Sequence, residues 1–528
     1  MLATPTNGDI VPEQRQILWV DDEIDMLKPH LTFLEQRGYV VTPVANGDDA
    51  VNLVRTRSFD LVLLDAMMPG KDGLQTLQEI RQIDSRLPVV MITRNEEEEI
   101  MDQAIGRRAD DYLLKPVNPN QILAAVRRLL ERHKIAGSQV AKDYVSQYRE
   151  LDPSYFDRLE HQEWIDTYLR MIDWDMQLDR YRETGLTQTH EDQKRAANYE
   201  FSRFVVRNYK SWVQRQGGPE LSPDVFRNHV MPLVKAGRKA AFLIVDCMRL
   251  DQWLTMEPLL ATYFRIERKH YYSILPSATP YARNALFAGL FPLEIHRRHP
   301  SYWDTHRGEH SLNRFERELL ELQLQRLGAP PGTKLRYAKV FNAEEAAEVQ
   351  RAVQRKADVD LFALVFNFID VLAHGRSESA ILQEMAPDEA AFRSVARSWF
   401  EHSTLFDLLK QMSAAGIEVV ITTDHGAVQG MRPTIATGNR DTSTNVRYKY
   451  GENLGCDDKG AFKMEEPEQY MLPKVRSTEN YIIAKENFYF VYPTQFRKYE
   501  KQFQGSFQHG GISLEEIILP VAHLQPRR

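Results

Sequence analysis

The stretch EVVITTDHG, residues 418–426, joins a buried strand to two metal-binding side chains. Its first half is apolar and β-branched, which is typical of a strand buried on both faces of a parallel sheet. Asp424 and His425 follow with a carboxylate oxygen and an imidazole nitrogen, both of them zinc-type ligands, and Gly426 lets the chain turn away. A capped turn is the competing interpretation. The stretch predicts an α/β domain with chemistry at its strand ends.

Four further stretches place ligand-type residues in similar contexts. FLIVDCMR ends a strand in Asp246, LPSATPYARN sets Thr279 before a helical segment, and FQHGGISLEE supplies His509 ahead of two glycines. NFIDVLAHG spaces Asp370 and His374 by four residues, which aligns them on one helix face or in a compact loop. Taken singly, Asp246 reads as a helix cap, Thr279 as an N-cap hydroxyl and each histidine as a structural residue. Together they predict a metal site.

From about residue 240 onward, short apolar runs alternate with helical segments, which predicts a mostly parallel sheet covered by helices. The runs are AFLIVD, YYSILP, KLRYAKV, LFALVFNF, EVVITTD and EIILPVAHL. A polar segment at about residues 431–480 interrupts this pattern. A polar insert of this length inside a compact domain is usually a functional lid or a disordered loop.

The N-terminal segment, from about residue 16 to 132, alternates strands and amphipathic stretches in the same way, and its final helix is expected near 119–135. Asp21, Asp22, Asp65 and Lys115 all fall at strand ends, which share one crevice in an open parallel sheet. Clustered carboxylates attract Mg²⁺, and one carboxylate can then accept a phosphoryl group. Thr93, which ends VVMIT, is placed to hydrogen-bond that group, and Lys115 to neutralise its charge.

Between about residues 136 and 232 the sequence shows helical patterns and no convincing strand. Apolar residues recur at helical spacing in two stretches: Trp164, Ile165, Tyr168, Met171 and Ile172, then Phe201, Phe204, Val205, Tyr209 and Trp212. The pattern predicts a small helical bundle. A spacer and dimer platform is its favoured role, because aromatic stripes at this spacing usually form a core.

Composition limits the function classes. The chain has 528 residues, 43% hydrophobic and 27% charged, with a net charge of −7. This balance argues against a general coat for nucleic acid or membrane surfaces. Two cysteines exclude a disulfide framework and a CxxC zinc site. The first residues contain no apolar signal segment, and no apolar run approaches about 18 residues, so a cytoplasmic protein is expected.

The N-terminal segment resembles the response-regulator receiver family over about residues 15–133, because VDDE, LLDAMMPGKDG, Thr93 and LKP match in order. The resemblance implies a CheY-like, doubly wound fold, phosphorylation of Asp65 and a sensor histidine kinase as partner. It implies a magnesium site formed by Asp21, Asp22, Asp65 and the backbone of Met67. Thr93 and Lys115 would form the switch together with Tyr112, for which edge packing is the competing role.

The C-terminal motifs resemble the alkaline phosphatase superfamily, and its PglZ branch in particular. The order strand-Asp, Thr, Asp-x-x-x-His, Asp-His-Gly, His-Gly-Gly is similar to the order in that superfamily. The resemblance implies a zinc-dependent phosphodiesterase in which Thr279 attacks phosphorus, with Ser277 as the rival nucleophile. It implies two zinc sites, one formed by Asp246, Asp424, His425 and the Thr279 oxygen, the other by Asp370, His374 and His509.

One position departs from related nucleotide phosphodiesterases, which carry an Asn three residues after the nucleophile. Ala282 stands there in this chain, so Arg283 or Asn284 is expected to contact the phosphoryl oxygens instead. The polar insert offers TSTNVRYKYG, residues 442–451. In this stretch Asn445, Arg447 and Lys449 are candidates for binding a substrate phosphate, and Tyr448 or Tyr450 for stacking on a base. The competing interpretation for each residue is a solvated polar loop.

The predicted domains are a receiver (15–134), a helical bundle (135–235) and a PglZ domain (236–528). This order is similar to that of response regulators associated with type IX secretion, and implies a homodimer on phosphorylation and a nucleotide or oligonucleotide substrate. The alternative function is a catalytically silent adaptor that binds a sigma factor or the secretion machinery. A DNA-binding domain is not expected, since no basic recognition helix follows the receiver.

Overall fold

The structure, a computed structural model, divides into two compact units, one ending at Tyr144 and the other beginning at Val145. In the part of the chain that is described, none of the helices has the length and apolar character needed to cross a membrane. The described residues are 15–84, 87–93, 109–148, 153–181, 184–303, 309–340, 343–354, 358–375, 380–438 and 445–527.

The first unit contains a parallel five-stranded sheet in the order β2-β1-β3-β4-β5. Its strands are β1 (Gln16–Val20), β2 (Val40–Val44), β3 (Leu61–Asp65), β4 (Val89–Thr93) and β5 (Asp111–Leu114). Its described helices are α1 (Lys28–Glu35), α2 (Gly47–Thr56), α3 (Gly73–Ile83) and α4 (Pro119–Tyr148). The predicted doubly wound receiver fold is confirmed.

Local sequence explains how these helices begin and end. Asn46 accepts a hydrogen bond from the backbone of Asp49 at the start of α2, and Asp72 accepts one from Gln75 at the start of α3. Such caps satisfy the free N–H groups of a first helical turn. The last helix, α4, runs to Tyr148 and is longer than predicted, because Val140 and Tyr144 continue its buried face beyond the expected end.

The second unit begins with helices, as predicted, and two of them are long. These helices are α5 (Pro153–Phe156), α6 (His161–Tyr181), α7 (Thr184–Val213), α8 (Ser222–Val225) and α9 (Met231–Lys235). The aromatic residues of the two predicted stripes, on α6 and α7, are buried. They do not pack only against each other, since the Trp212 ring meets Tyr272 of the following sheet at 5.6 Å. The helices and that sheet share one hydrophobic core.

A six-stranded sheet forms the centre of this unit, in the order β7-β19-β10-β6-β9-β8. All its strands are parallel except β19, which runs antiparallel to both neighbours. They are β6 (Ala240–Val245), β7 (Phe264–Tyr272), β8 (Leu335–Val340), β9 (Leu361–Phe366), β10 (Glu418–Thr422) and β19 (Ile518–Pro526).

The helices between these strands complete the α/β alternation that the sequence predicts. They are α10 (Leu250–Leu260), α11 (Thr279–Ala288), α12 (Pro292–Arg298), α13 (Glu316–Arg326), α14 (Ala343–Gln354), α15 (Phe368–Gly375), α16 (Ala380–Met385), α17 (Glu389–Glu401), α18 (Thr404–Ala414), α19 (Phe496–Phe503) and α20 (Leu514–Ile517).

One strand lies earlier than predicted. The apolar run YYSILP marked a strand at 271–276, but β7 begins at Phe264 and ends at Tyr272. It is an edge strand, and the residues of FRIERKHYY alternate between exposed and sheltered positions. Charged side chains are common on edge strands because they prevent pairing with other chains. The charged residues of β7 interrupt its apolar pattern, and the prediction relied on a continuous apolar run.

The expectation of a lid or disordered loop at 431–480 is wrong for the described residues of that segment. They form strands, and the strands pack around a small apolar core that contains Ala436, Leu454 and Ile482. The strands of this segment and of the residues that flank it are β11 (Val428–Gln429), β12 (Arg432–Thr437), β13 (Tyr448–Glu452), β14 (Gly455–Cys456), β15 (Ala461–Met464), β16 (Glu479–Ala484), β17 (Phe488–Val491) and β18 (Phe507–Gln508).

Candidate functional site

The receiver sheet brings its predicted site residues together at the carboxyl ends of β1, β3 and β5. Lys115 Nζ lies 2.8 Å from Asp21 Oδ2 and 2.8 Å from Asp65 Oδ2. Asp21 and Asp65 are buried, whereas Asp22 is exposed at the rim. The three carboxylates offer oxygens within 4.8 Å of one another. This is a suitable donor set for Mg²⁺, which takes oxygen ligands and keeps several waters.

Electrostatics at this site favour a cation. Burial raises the pKa of Asp65, and the nearby Asp21 raises it further, although the ammonium of Lys115 opposes both effects. A divalent ion would relieve the repulsion between the carboxylates. Met67 lies beside them, with its backbone N–H 3.3 Å from Asp65 Oδ1. A cation here would reduce the negative charge around Asp65 and so weaken the repulsion of an incoming phosphoryl group.

The two remaining receiver positions lie on the neighbouring strands. Thr93 is the buried last residue of β4, beside the carboxyl end of β3. Tyr112 lies on β5 and is 39% exposed, so its ring is only partly packed. The switch roles of both residues stay predictions.

The six-stranded sheet assembles a first cluster from three separate segments. Asp246 follows β6 directly, Asp424 and His425 follow β10, and Thr279 is the first residue of α11. Thr279 Oγ1 lies 2.9 Å from His425 Nε2 and 3.5 Å from Asp246 Oδ1. His425 Nε2 lies 3.6 Å from Asp246 Oδ1 and 3.7 Å from Asp424 Oδ2. All four predicted members of the first zinc site therefore meet around one point.

The donor atoms of this cluster fit a metal ion. His425 Nδ1 lies 3.1 Å from the Gly426 carbonyl oxygen. Because a carbonyl oxygen can only accept a hydrogen bond, Nδ1 carries the hydrogen, and the lone pair of Nε2 is left available for a metal. Asp424 is fully buried, and among the described residues its Oδ2 has no hydrogen-bond partner. Burial raises the pKa of Asp246 well above its usual range, and Asp424 adds to this, while Arg283 opposes it. A bound cation would satisfy the carboxylates in their charged form.

The second predicted cluster also forms. Asp370 and His374 lie one turn apart on α15, and His509 comes from the loop after β18. The Nε2 atoms of His374 and His509 are 3.0 Å apart, and Asp370 Oδ1 lies 3.3 Å from the first and 3.7 Å from the second. Burial, with His425 and His374 nearby, lowers the pKa of His509 well below its usual range. A neutral imidazole is the form that binds metal.

The two clusters adjoin each other. The rings of His425 and His509 stack with their centroids 4.1 Å apart. Asp246, Asp424 and His425 are buried, whereas Thr279 is only partly buried and the His374 side chain is 47% exposed. The pair of clusters is therefore reached by solvent both at Thr279 and at the second cluster.

Behind the first cluster, Arg283 belongs to a charged network whose other members carry no sequence signal. Arg283 pairs with Asp246 through one nitrogen and with Glu316 through another at 2.8 Å. Glu316 is fully buried and also contacts Tyr337 and, at 3.1 Å, Lys339. Glu316 starts an ordinary amphipathic helix and Lys339 lies on a strand, so only their three-dimensional contacts reveal this network.

Several predicted substrate contacts are not supported. Arg283 is already committed to two carboxylates, and the amide of Asn284 donates to the carbonyls of Pro280 and Leu312 inside the helical core. Arg447 is fully buried and pairs with Glu516. The other predicted contacts have partners of their own, and their substrate roles stay predictions. Asn445 accepts from the backbone of Arg447 and Tyr448, Lys449 is 1% exposed and donates to the Asn445 carbonyl, and Tyr448 is 1% exposed against Tyr281.

Three family models match consecutive parts of the chain. A response regulator receiver domain matches residues 17–127, the PorX response regulator linker domain matches 134–213, and the BREX system PglZ alkaline phosphatase-like domain matches 225–524. The last match covers more than half of the 528 residues, so the chain belongs to the PglZ family. It combines a response regulator receiver domain with an alkaline phosphatase-like domain. The three domains in this order have the architecture of PorX.

Similar proteins and structures match the receiver. The probable transcriptional regulator ycf27 of Cyanidium caldarium is 39% identical over 121 residues, which is 22% of this chain and 47% of the relative. ResD of Bacillus subtilis (strain 168) is 35% identical over 119 residues, 22% of this chain and 49% of ResD. The chain spans about half the length of these relatives. The NtrX receiver from Brucella abortus is 34% identical, with a TM-score of 0.21, over 22% of this chain and 98% of that one.

The receiver match places the N-terminal domain among response regulator receivers, and the PglZ match places the C-terminal domain among alkaline phosphatase-like domains. Both families generally use metal ions, in agreement with the clusters described above.

Proposed function

We propose that the chain is a two-component response regulator phosphorylated on Asp65, whose effector is a zinc-dependent phosphodiesterase with Thr279 as its nucleophile. The substrate is a nucleotide-type phosphodiester. The observation that carries the proposal is the position of Thr279 Oγ1, which lies 2.9 Å from His425 Nε2 inside a ligand cluster. A second ligand cluster adjoins it through the stacked ring of His509.

The ligands divide between the two metals as the clusters do. Asp246, Asp424, His425 and the Thr279 oxygen would hold one zinc ion, and Asp370, His374 and His509 the other. Such a pair supplies Lewis-acid charge that stabilises the attacking and leaving oxygens of an in-line displacement. Nitrogen donors in both clusters favour zinc over magnesium, which prefers oxygen.

The reaction uses the Thr279 hydroxyl in two steps. Thr279 gives its hydroxyl proton to solvent and attacks phosphorus through Oγ1, an Oγ–P bond forms, and the bond from phosphorus to the leaving alkoxide breaks, with solvent returning a proton to that alkoxide. Water then attacks the phosphoryl-threonine, so that the Oγ–P bond breaks and the second product leaves. Asn313 supports the nucleophile, because its amide donates to the Thr279 carbonyl at 3.2 Å. This contact holds the start of α11 in place during both steps.

The charges near the nucleophile favour a phosphodiester over a phosphomonoester. A monoester carries an additional negative charge that needs a cation, and Arg283 is the guanidinium closest to the cluster. Because Arg283 is held by Asp246 and Glu316, its charge is already compensated. A chromogenic phosphodiester is therefore expected to be hydrolysed with a higher kcat/KM than the matching monoester, measured in parallel on the zinc-loaded protein. A higher kcat/KM for the monoester would overturn this assignment.

The regulatory part of the proposal rests on the receiver and the linker. A sensor histidine kinase phosphorylates Asp65, phosphorylation promotes a homodimer, and the output regulates type IX secretion through a sigma factor or the secretion machinery. The PorX-like order of the three domains supports this role. The compartment is expected to be the cytoplasm, where such kinases phosphorylate their regulators.

Replacing the acceptor carboxylate is expected to abolish phosphorylation. The Asp65→Asn variant keeps the size of the side chain but lacks the nucleophilic oxygen. After incubation with acetyl phosphate and Mg²⁺, the wild type should shift on a phosphate-affinity gel and the variant should not. Asp48→Asn is the matched control, because Asp48 is exposed and pairs only with Lys71 among the described residues. A shift of equal size in Asp65→Asn would contradict the assignment.

A further inference from the structure

One face of the linker helix α7 reaches into the hydrolase domain through two polar side chains. Lys194 and Asn198 lie one turn apart, so they project from the same face. Lys194 Nζ lies 2.6 Å from Glu389 and 2.9 Å from Asp175. The Asn198 amide lies 3.2 Å from both carboxylate oxygens of Glu515. Asn198 and Glu515 are buried, so water does not compete for these bonds.

Asn198 holds a segment that contacts residues close in sequence to His425 of the first cluster and His509 of the second. Its Oδ1 accepts the backbone N–H of Leu514 at 2.8 Å, while its amide binds Glu515. The Glu515 carbonyl lies so close to Gly426 that any Cβ there would collide with it, and Gly426 follows the ligand His425. The segment also reaches back toward His509, since Glu516 Oε1 accepts the Gly511 N–H at 2.8 Å.

Lys194 reaches the first cluster by a second route. Glu389 joins Lys194 to Arg249, whose Nη1 lies 3.0 Å from that carboxylate. Arg249 is buried, stands three residues after the ligand Asp246, and also donates to the carbonyl of Ala427 at 3.4 Å. Lys194 is therefore linked through two ion pairs to the turns that carry Asp246 and His425.

We propose that Asn198 and Lys194 of the linker helix are positioning residues for the two ligand clusters, and that their contacts hold His425 and His509 at metal-binding distance. The inference rests on the proposed function in that the clusters bind zinc. Groups that orient metal ligands commonly change metal affinity or activity 10–100-fold when they are replaced. Because α7 belongs to the segment that joins the receiver to the hydrolase domain, the linker contributes directly to the geometry of the site.

The test exchanges an amide and a carboxylate. Asn198→Asp sets a second negative charge against Glu515 and is expected to lower zinc affinity about 10–100-fold. In the double variant Asn198→Asp/Glu515→Gln, the new amide at position 515 donates to the new carboxylate at position 198, and the total charge equals that of the wild type. This variant should recover most of the zinc affinity. Zinc affinity is measured by competition with a chromogenic chelator on the full chain, together with the midpoint of thermal unfolding.

Further variants separate positioning from general folding. Lys194→Met is expected to weaken zinc binding in the same range, and Lys194→Arg to preserve it. Arg203→Met on the same helix is the control, because Arg203 is half exposed and pairs with Glu200 of its own helix. Wild-type zinc affinity in both Asn198→Asp and Lys194→Met overturns the inference. So does an Asn198→Asp defect that the Glu515→Gln exchange leaves unrepaired. Absence of zinc binding in the wild type would instead refute the proposed function itself.

Discussion

Replacing Thr279 with alanine is expected to lower phosphodiester turnover by about 10³-fold or more, the range seen when a covalent nucleophile is removed. The variant loses the oxygen that attacks phosphorus, but the carboxylates and imidazoles of both clusters remain. Zinc content should therefore stay close to that of the wild type. The measurement is initial-rate hydrolysis of a chromogenic phosphodiester, with zinc determined on the same samples. Retention of more than a tenth of wild-type turnover would contradict the assignment.

Ser277→Ala is the matched control for this experiment. Ser277 stands two residues before Thr279 and was the rival nucleophile, but it is fully buried and its hydroxyl donates to the Gly511 carbonyl at 2.7 Å. Its loss should leave turnover within a few-fold of the wild type, since that oxygen is engaged by the Gly511 carbonyl and belongs to neither ligand cluster. The same pair of variants tests the adaptor alternative, because an adaptor should keep its signalling output when Thr279 is replaced.

Replacing Arg447 with methionine is expected to lower the free energy of unfolding by about 3–5 kcal/mol, the usual result of removing one partner of a buried ion pair. Arg447 and Glu516 are both fully buried, with nitrogen and oxygen 2.5 Å apart. The guanidinium also donates to the carbonyls of Glu486 and Phe488. Methionine replaces only the apolar stem of the side chain and leaves the Glu516 charge and these carbonyls without the guanidinium donor. Denaturant unfolding of the full chain measures the change.

Arg476→Met is the control for this prediction. Arg476 is well exposed and pairs with Glu452 at 2.9 Å, and exposed pairs contribute at most about 1 kcal/mol. Equal destabilisation by the two variants would contradict the structural role of Arg447. If Arg447 instead contacted substrate, its replacement would raise KM and leave stability unchanged.

Much of the candidate site follows from sequence because topology places it. Asp246 and Asp424 come after β6 and β10, which are neighbours in one parallel sheet, so their carboxylates share its carboxyl edge. The same reasoning brought Asp65 and Lys115 together in the receiver. His374 followed from its spacing to Asp370 on a helix face. In each case a local pattern places the residue at the end of a strand or on a helix face, and the order of strands in the sheet brings these positions together.

The parts that were missed depend on contacts between distant segments. TSTNVRYKYG looks like a phosphate-binding loop because it is polar and basic, yet Arg447 is fully buried against Glu516, which lies 69 residues away. Glu316 and Asn198 carry no local signature, although each holds a residue close to a ligand cluster. Burial of a charged side chain is decided by its partner, and a single sequence does not reveal which partner that is.

The composition of the insert misled for a related reason. Its strands are short, and its apolar core relies on small and scattered residues such as Ala436 and Ala461. Between residues 431 and 480 no continuous apolar run marks them, so this segment resembles a loop in sequence. In the structure it is anchored to the site, because Tyr448 packs on Tyr281, two residues after the nucleophile.

The most direct measurement for the central claim is the zinc content of the purified wild-type chain, followed by phosphodiester turnover before and after chelation. The account predicts about two zinc ions per chain. It also predicts turnover that falls to background when a chelator removes them and returns with Zn²⁺ but not with Mg²⁺. A chain without zinc, or turnover that survives complete removal of zinc, would contradict it.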